Sequence, residues 1–489
     1  MSKIKICLFL FFVCTLSLYS SAQKRELNYE LGLSSSVSGD SLPFWLHTNK
    51  YGIVPEDNNG LIQLKVFSDF KESDSDFNFS YAASIVVSQS KESDLLVDEL
   101  FFSTIWKKLN LDLGVKHHDV QYDGLSATNG DLLFSTNSRS YPELSIGFSD
   151  FVPVPFTNNL LSIKGVFSNG IMLDNRYVDN TNVHHKSAFL RVGRDHGFSF
   201  IIGLDHYVEW GGTSPVYGNL GGFDTFLDAV LVRSGEVLTD TDGNESITES
   251  LNKGGNHLGQ NVFKFAYNKF QYQMELGFKS MNEDKSGDMK HLKDIKDWNV
   301  SFFLKLKQSK FLSSFMYEYF CTKDQSGYNV DPDREEEPVI GFDNYFANGV
   351  YRSGWTSYQR TIGLPLITPS LTDGIVTGIS NNAIEAHHFG LTGEVGKFKY
   401  KAMFTYSKNY GNALLKNDGN GYEEENYYKT YTYPDPLKQQ SYLLELSLPP
   451  LNNFPFLIST SIAMDQGDYL DDNFGFQIHL THRGLFSKK

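Results

Sequence analysis

The chain has 489 residues, and its 58 Asp+Glu against 43 Lys+Arg give a formal charge of −15. That balance excludes the positive footprint that nucleic-acid binding demands. Cysteine is too scarce for a disulfide-stapled secreted scaffold, with only Cys7, Cys14 and Cys321. Beyond the N-terminus no stretch reaches the roughly 18 apolar residues of a membrane helix, so any membrane span must be built from strands.

In chain order, the first element is an export signal. Lys3 and Lys5 precede an apolar run from Ile6 to Tyr19, and Ser20-Ser21-Ala22 forms a small-residue cleavage site before Gln23. Phe12-Val13 does not make a lipobox, so Cys14 is not read as a lipoprotein anchor. Residues 1–22 are therefore expected to leave, and 23–489 to form a single outer-membrane β-barrel domain. Losing Lys3 and Lys5 takes the charge from −15 to −17, and Cys321 becomes the lone thiol.

Strict two-residue alternation follows. Phe77, Phe79, Tyr81, Ala83, Ile85 and Val87 are interleaved with mostly small or polar residues. The pattern returns at Tyr272, Met274, Leu276 and Phe278, at Phe398, Tyr400, Ala402, Phe404 and Tyr406, and at Phe474, Phe476, Ile478 and Leu480. A strand sends successive side chains to opposite faces, so each segment has one apolar and one wet face. An aromatic-rich apolar face behind an export signal points to a transmembrane antiparallel barrel with a polar lumen. Alternation alone does not say which face is wet, and a soluble sandwich or propeller stays open on this ground. Short turns are expected at Lys107-Lys108, Arg194 to His196, Asn268-Lys269, Ser309-Lys310 and Gly396. Long polar connections occupy about 211–224, 235–259, 280–297, 322–357 and 408–437, the arrangement of a barrel whose long loops lie outside the cell. Roughly twenty candidate strands can be marked, with sixteen to eighteen as the working number.

Catalytic and cofactor signatures are missing: no G-x-S-x-G, P-loop, G-x-G-x-x-G or H-E-x-x-H occurs. The doublets His117-His118, His184-His185 and His387-His388 do not suit one metal, because neighbours on a strand face opposite ways. Asp240, Asp242, Asn244 and Glu249 around Gly243 miss the calcium-loop spacing and read as an acidic turn. The runs Glu335 to Glu337 and Glu423 to Glu425 read as solvated loop tips. No cofactor and no metal is expected. More specific are three mixtures of aromatic, amide and acid near strand ends: His206 to Gly212, Tyr317 to Gly327, and Asp343-Asn344-Tyr345 with Tyr351 and Gly354-Trp355. Sugars are bound by such sets, aromatic faces covering C–H patches while carboxylates and amides take hydroxyls. A rim of girdle aromatics and folded loops would use the same residues. Lys397, Lys399 and Lys401 alternate against the aromatics and are expected in the lumen, facing an anionic glycan or pairing with acids such as Glu275, Glu318 or Glu445.

These stretches resemble the Wzi family of capsule-assembly proteins, in the form common among the Bacteroidetes. The matching series runs in family order through Pro43-Phe44-Trp45-Leu46, Asn49 to Gly52, Ser135 to Arg139, His184 to Lys186, His206 to Gly212 and Asn256 to Gly259. It continues through Glu283 to Gly287, Tyr317 to Gly327, Asp343 to Tyr345, Gly354-Trp355 and Tyr406 to Gly411. A departure is Asn381-Asn382-Ala383, where the family pattern would place an arginine. The resemblance implies an all-β barrel of about 18 strands in the bacterial outer membrane. It implies a non-enzymatic lectin that binds surface or capsular polysaccharide and aids capsule assembly and attachment. Outer-membrane lipid and the barrel-assembly machinery are the other expected partners. His206, Trp210, Glu318, Gln325, Asp343, Tyr345 and Trp355 are the expected polysaccharide contacts. The competing expectations are a porin or substrate-specific channel, which needs an open lumen, and a hydrolase whose site is assembled without local motifs.

Overall fold

The computed structural model describes residues 26–486, apart from 71–75, 92, 234–237, 240–242, 244, 247–254, 284–295, 326–328, 331–339, 342, 420–426 and 452–453. The signal segment, Asp240, Asp242, Asn244 and Glu249, and both glutamate runs lie outside the described residues. Alternating, aromatic-rich segments form β1 (Asn28–Ser38), β2 (Asn59–Ser68), β3 (Phe77–Gln89), β4 (Ser93–Trp106), β5 (Leu109–Val115) and β6 (Glu143–Phe148). Next come β7 (Leu161–Ile171), β8 (Asn182–Gly193), β9 (Gly197–Trp210), β10 (Asn256–Asn268), β11 (Tyr272–Glu283) and β12 (Asn299–Leu306). The last six are β13 (Ser314–Cys321), β14 (Ile384–Val395), β15 (Phe398–Asn409), β16 (Leu437–Leu448), β17 (Leu457–Gly467) and β18 (Asn473–Leu485). Each pairs antiparallel with its neighbours in sequence, and β18 pairs with β1 from Asn28↔Leu485 to Ser38↔Gly475. The result is a closed 18-stranded antiparallel barrel; the two-residue segment Val152–Pro153 also pairs onto β7. Closure removes the sheet edges that lipid would not tolerate.

The outward face is the apolar one. Phe77, Ile85, Val87, Met274, Leu276, Phe398, Phe474, Phe476 and Ile478 are exposed on the barrel exterior, along with Leu95, Val97 and Ile462. In a water-soluble protein such a belt would be an aggregation surface. Around a closed barrel it is the lipid contact, so the chain is an outer-membrane β-barrel. No helix among the described residues is long and apolar enough to cross a membrane. The connections separate by length onto two ends. Two-residue turns occur at Lys107-Lys108 and Gly396-Lys397, where φ of +58° at Lys107 and +63° at Gly396 matches the strand twist. The opposite end carries the connections 39–58, 116–142, 211–255, 322–383 and 410–436.

Barrels of 16 to 18 strands ordinarily enclose an aqueous channel. Here three of the long connections fold back into the lumen and pack there. Trp45 and Leu46, on the short helix α1 (Phe44–His47), share one buried cluster with Leu132, Leu133, Tyr345, Phe346, Trp355, Ile362 and Leu364. Backbone bonds lace the segments: Ser135 N donates to Ile362 O (2.7 Å), Leu364 N to Leu132 O (2.9 Å) and Tyr51 N to Thr136 O (2.7 Å). Gly390 on β14 leaves room for this filling, since a Cβ there would stand 2.9 Å from Leu125 Cβ. A second helix, α2 (Phe223–Leu231), lies instead outside the barrel against β9, with Phe226 against Trp210 and His184.

Register makes a direct test. Phe404, in mid-strand β15, faces outward, whereas Lys399 faces the lumen and is solvent-exposed beside Glu394. Phe404→Arg is expected to cost ~2–4 kcal/mol and to reduce assembly, while Lys399→Glu costs much less. The yield of folded barrel by heat-modifiable electrophoresis distinguishes them.

Candidate functional site

The lumen filling rests on inward side chains that accept the backbone donors of the inserted segments. Glu318 on β13 receives Ser126 Oγ (2.9 Å) and Ala127 N (2.7 Å). His388 on β14 donates Nε2–H to Leu125 O (2.8 Å), and Gln260 on β10 bonds both Leu132 N (3.2 Å) and Asp131 Oδ1 (2.7 Å). Glu283 receives Phe346 N (2.6 Å), and Asp465 on β17 receives Phe44 N (2.7 Å). A buried carboxylate holding two such donors is stable only with its partners present.

Five of the seven expected sugar contacts belong to this scaffold, which corrects that expectation. Tyr345 and Trp355 are 0% exposed, so neither ring offers a face to a polysaccharide. Tyr345 N donates to Gln325 Oε1 (2.8 Å), and Gln325 N donates to Asp297 Oδ2 (2.6 Å). Asp343 Oδ2 accepts from Glu283 N (3.0 Å), so Gln325, Asp343 and Tyr345 are brought together, but as one buried knot. Trp355 donates Nε1–H to Leu133 O (2.5 Å) and lies against Tyr207. Glu318 is spent on Ser126 and Ala127, as above. The other two, His206 and Trp210, face the barrel exterior near α2. His206 Nε2 is 3.2 Å from His257 Nδ1, and Trp210 Nε1 donates to Asn169 Oδ1 (3.2 Å).

Of the three lysines, Lys401 faces the lumen 3.5 Å from Glu445, and Lys399 lies 3.8 Å from Glu394. Lys397 is corrected from the lumen to the two-residue turn, where it is exposed. His184 and His185 part to opposite faces. His184 lies under α2, whereas His185 Nε2 meets Asp205 Oδ1 at 2.5 Å inside. One metal-like grouping does arise among the described residues: Asp98, Glu99 and His117 hold their ligand atoms within 4.8 Å of one another. A bulge opposite Ser84/Ile85 turns both consecutive acids inward, which two-residue periodicity does not anticipate. The group is already satisfied: Asp98 Oδ2 receives Gln63 (2.8 Å) and Ser84 (2.9 Å), and Glu99 pairs with Lys65.

An open constellation lies at the mouth on the long-loop side. Thr356–Ser357 pairs with Arg360–Thr361 in a two-residue hairpin whose central residues are Tyr358 (φ +48°) and Gln359 (φ +67°). Such turns favour Asn-Gly, and a tyrosine–glutamine pair there stores of order 1–3 kcal/mol per residue. The hairpin is held from below by Arg360, whose guanidinium reaches His47 O (3.2 Å) and Val54 O (3.0 Å). Above it Tyr358 remains 38% exposed, with the Arg139 guanidinium 4.5 Å from its ring centroid. Asp94 is 3.8 Å from Arg139, Asp174 Oδ2 accepts from Tyr358 N (3.1 Å), and Gln359 is exposed. Burial raises the Tyr358 hydroxyl above its ordinary value, opposed by Arg139 and reinforced by Asp174 and Asp94, and lowers Arg139, opposed by Tyr358 and nearby acids. Aromatic face, guanidinium, amide and the Asp94 carboxylate are thereby presented to solvent, while Asp174 is buried beneath them beside Arg176. Arg139 belongs to the Ser135 to Arg139 stretch, but nothing in the sequence marks Tyr358-Gln359, because the dipeptide is not a turn signal.

Two outcomes follow. Trp355→Ala empties the centre of the filling and is expected to cost about 3–5 kcal/mol, lowering the temperature at which the folded electrophoretic form disappears. Asp131, in the inserted segment, is raised from 3.8 to about 6 by burial and then by Asp205. A raised folded-state pKa means this group's stabilisation is complete below the unfolded pKa and is lost as pH rises through about 6. Asp131→Asn is therefore expected to gain stability relative to wild type above about pH 6, the advantage vanishing near about pH 4; thermal unfolding across that range measures it.

No protein-family model matches the chain, and no curated protein does. Among solved structures it is similar to Wzi of Escherichia coli, an outer-membrane protein involved in group 1 capsule assembly and a carbohydrate-binding β-barrel. The identity is 12% over 97% of this chain and 88% of that one, with a TM-score of 0.54. OccK3 (OpdO) of Pseudomonas aeruginosa aligns over 95% of this chain and 96% of its own at 10% identity and TM-score 0.44. OprD of the same organism gives the same identity, coverages and score. At these identities the likeness is one of fold: an outer-membrane barrel.

Proposed function

We propose that this protein is a non-catalytic outer-membrane barrel that holds surface or capsular polysaccharide and aids its assembly and attachment. The observation that carries the reading is the filled lumen capped by a rigid, solvent-facing aromatic and polar mouth. Three chain segments occupy the bore, so the wall serves as a platform for Tyr358, Gln359 and Arg139 in place of a diffusion path. The carbohydrate binding stated for the similarly folded Wzi supports the same reading. The channel reading shares the same barrel fold, but it requires the inserted segments to leave the bore.

The test is cell-surface polysaccharide per folded barrel. Tyr358→Ala removes one exposed ring and is expected to weaken retention several-fold with the barrel count unchanged, since stacking of a ring on a sugar face contributes on the order of 1 kcal/mol. Retention equal to wild type in a strain lacking the barrel altogether would sink the function. A steady open-channel current from wild-type protein in planar bilayers would favour the porin.

A further inference from the structure

Between the first inserted segment and the wall of β1–β3 and β16–β18 lies a cavity of about 260 Å³. It is distinct from the mouth: Lys50, Tyr51, Ile53 and Val54 form its roof, and Gly32, Gln63, Glu445, Ser461 and His479 are among its wall residues. The ammonium of Lys50 makes no hydrogen bond or ion pair among the described residues. Its one acidic neighbour in the cavity, Glu445, is already 3.5 Å from Lys401. Burial and then Lys401 lower the Lys50 pKa, with Glu445 acting in the opposite sense. Half-buried in the cavity roof and without a carboxylate at ion-pair distance, this ammonium is available to an anion that enters. Around it, Ser34 and Ser459 present hydroxyls and Gln63 and Gln477 present amide oxygens, their amide N–H groups already donating to Asp98 and Ser36, while Ile53, Val54, Leu61 and Val86 form an apolar strip. The volume is below the ~300–1,000 Å³ of drug-sized pockets, so the occupant is of the order of one ring.

We propose that this cavity binds a single carboxylate-bearing sugar ring, its carboxylate on Lys50 and its hydroxyls on the surrounding serines and amides. The choice of a sugar acid over other anions rests on the polysaccharide reading above; the cavity and its unpaired cation do not. Glucuronate, glucose and inorganic phosphate would each be titrated calorimetrically into the purified barrel in detergent. Glucuronate is expected to bind, with glucose and phosphate weaker. Lys50→Met is expected to weaken glucuronate about tenfold or more, the factor carried by one lost charged hydrogen bond. Ser34→Phe, which adds a ring to the β1 wall of the cavity and leaves Lys50 in place, should abolish binding; folding of both variants is checked by heat-modifiable mobility. No glucuronate binding to wild type, equal binding of glucose or phosphate, or unchanged affinity in folded Lys50→Met overturns the proposal. Polysaccharide retention by cells is scored separately. Retention without glucuronate binding removes the cavity site and leaves the function, whereas Lys50-dependent binding without retention removes the function and leaves the site.

Discussion

An 18-stranded barrel is too wide for its own side chains to fill, and most of this structure follows from that. The wall is satisfied strand to strand, but any chain that enters the bore carries backbone N–H and C=O groups away from water. Each of those groups must find a partner or cost about 1–3 kcal/mol. The inserted segments meet the requirement partly with one another, as at Ser135–Ile362 and Leu364–Leu132, and partly with the wall. This explains why the wall carries Glu318, His388, Gln260, Glu283 and Asp465 at buried inward positions.

The polar lumen of an outer-membrane barrel thus takes two forms here. Toward the short-turn end inward residues such as Lys399 remain wet, and their charges are loosely balanced. At the level of the inserted segments the same inward positions become a dry network in which acids serve as acceptors for backbone donors. Arg176 and Glu209 illustrate the second case: both side chains are almost wholly buried and 2.5 Å apart, with Asn256 taking the second carboxylate oxygen at 2.7 Å. Removing either member would leave the other charge uncompensated, so such pairs are better understood as fixing one arrangement of the loops than as adding stability.

Rigidity below permits strain above. The Tyr358–Gln359 turn keeps two left-handed residues that an isolated hairpin would avoid, because Arg360 and the buried Thr356, Ser357 and Thr361 hold its base. Strain of this kind persists where surrounding structure over-determines it, commonly at binding surfaces. The same dependence on surroundings governs the bulge at Asp98, where pairing with β3, and not local sequence, decides that two adjacent acids face inward.

The period-two pattern at Phe77 to Val87, Tyr272 to Phe278, Phe398 to Tyr406 and Phe474 to Leu480 was sufficient to mark strands with one apolar face, because side-chain alternation is a local property; which face meets lipid was decided by closure of the sheet with that face outward. Turn positions such as Lys107-Lys108 and Gly396 were equally legible, since they interrupt that pattern within two or three residues. The destinations of the long connections were not. Tyr345, Trp355, Gln325 and Asp343 have the composition of a sugar site, yet their 0–7% exposure comes from segments outside their own, from Asp297 and Glu283 to Leu133. Conversely, Tyr358 and Arg139 are brought together across a sequence separation of 219, and no short-range pattern records it. Periodicity fixes which way a side chain points from its own strand; only the packed bore decides what it meets there, because burial is set by the partner segments and not by the residue.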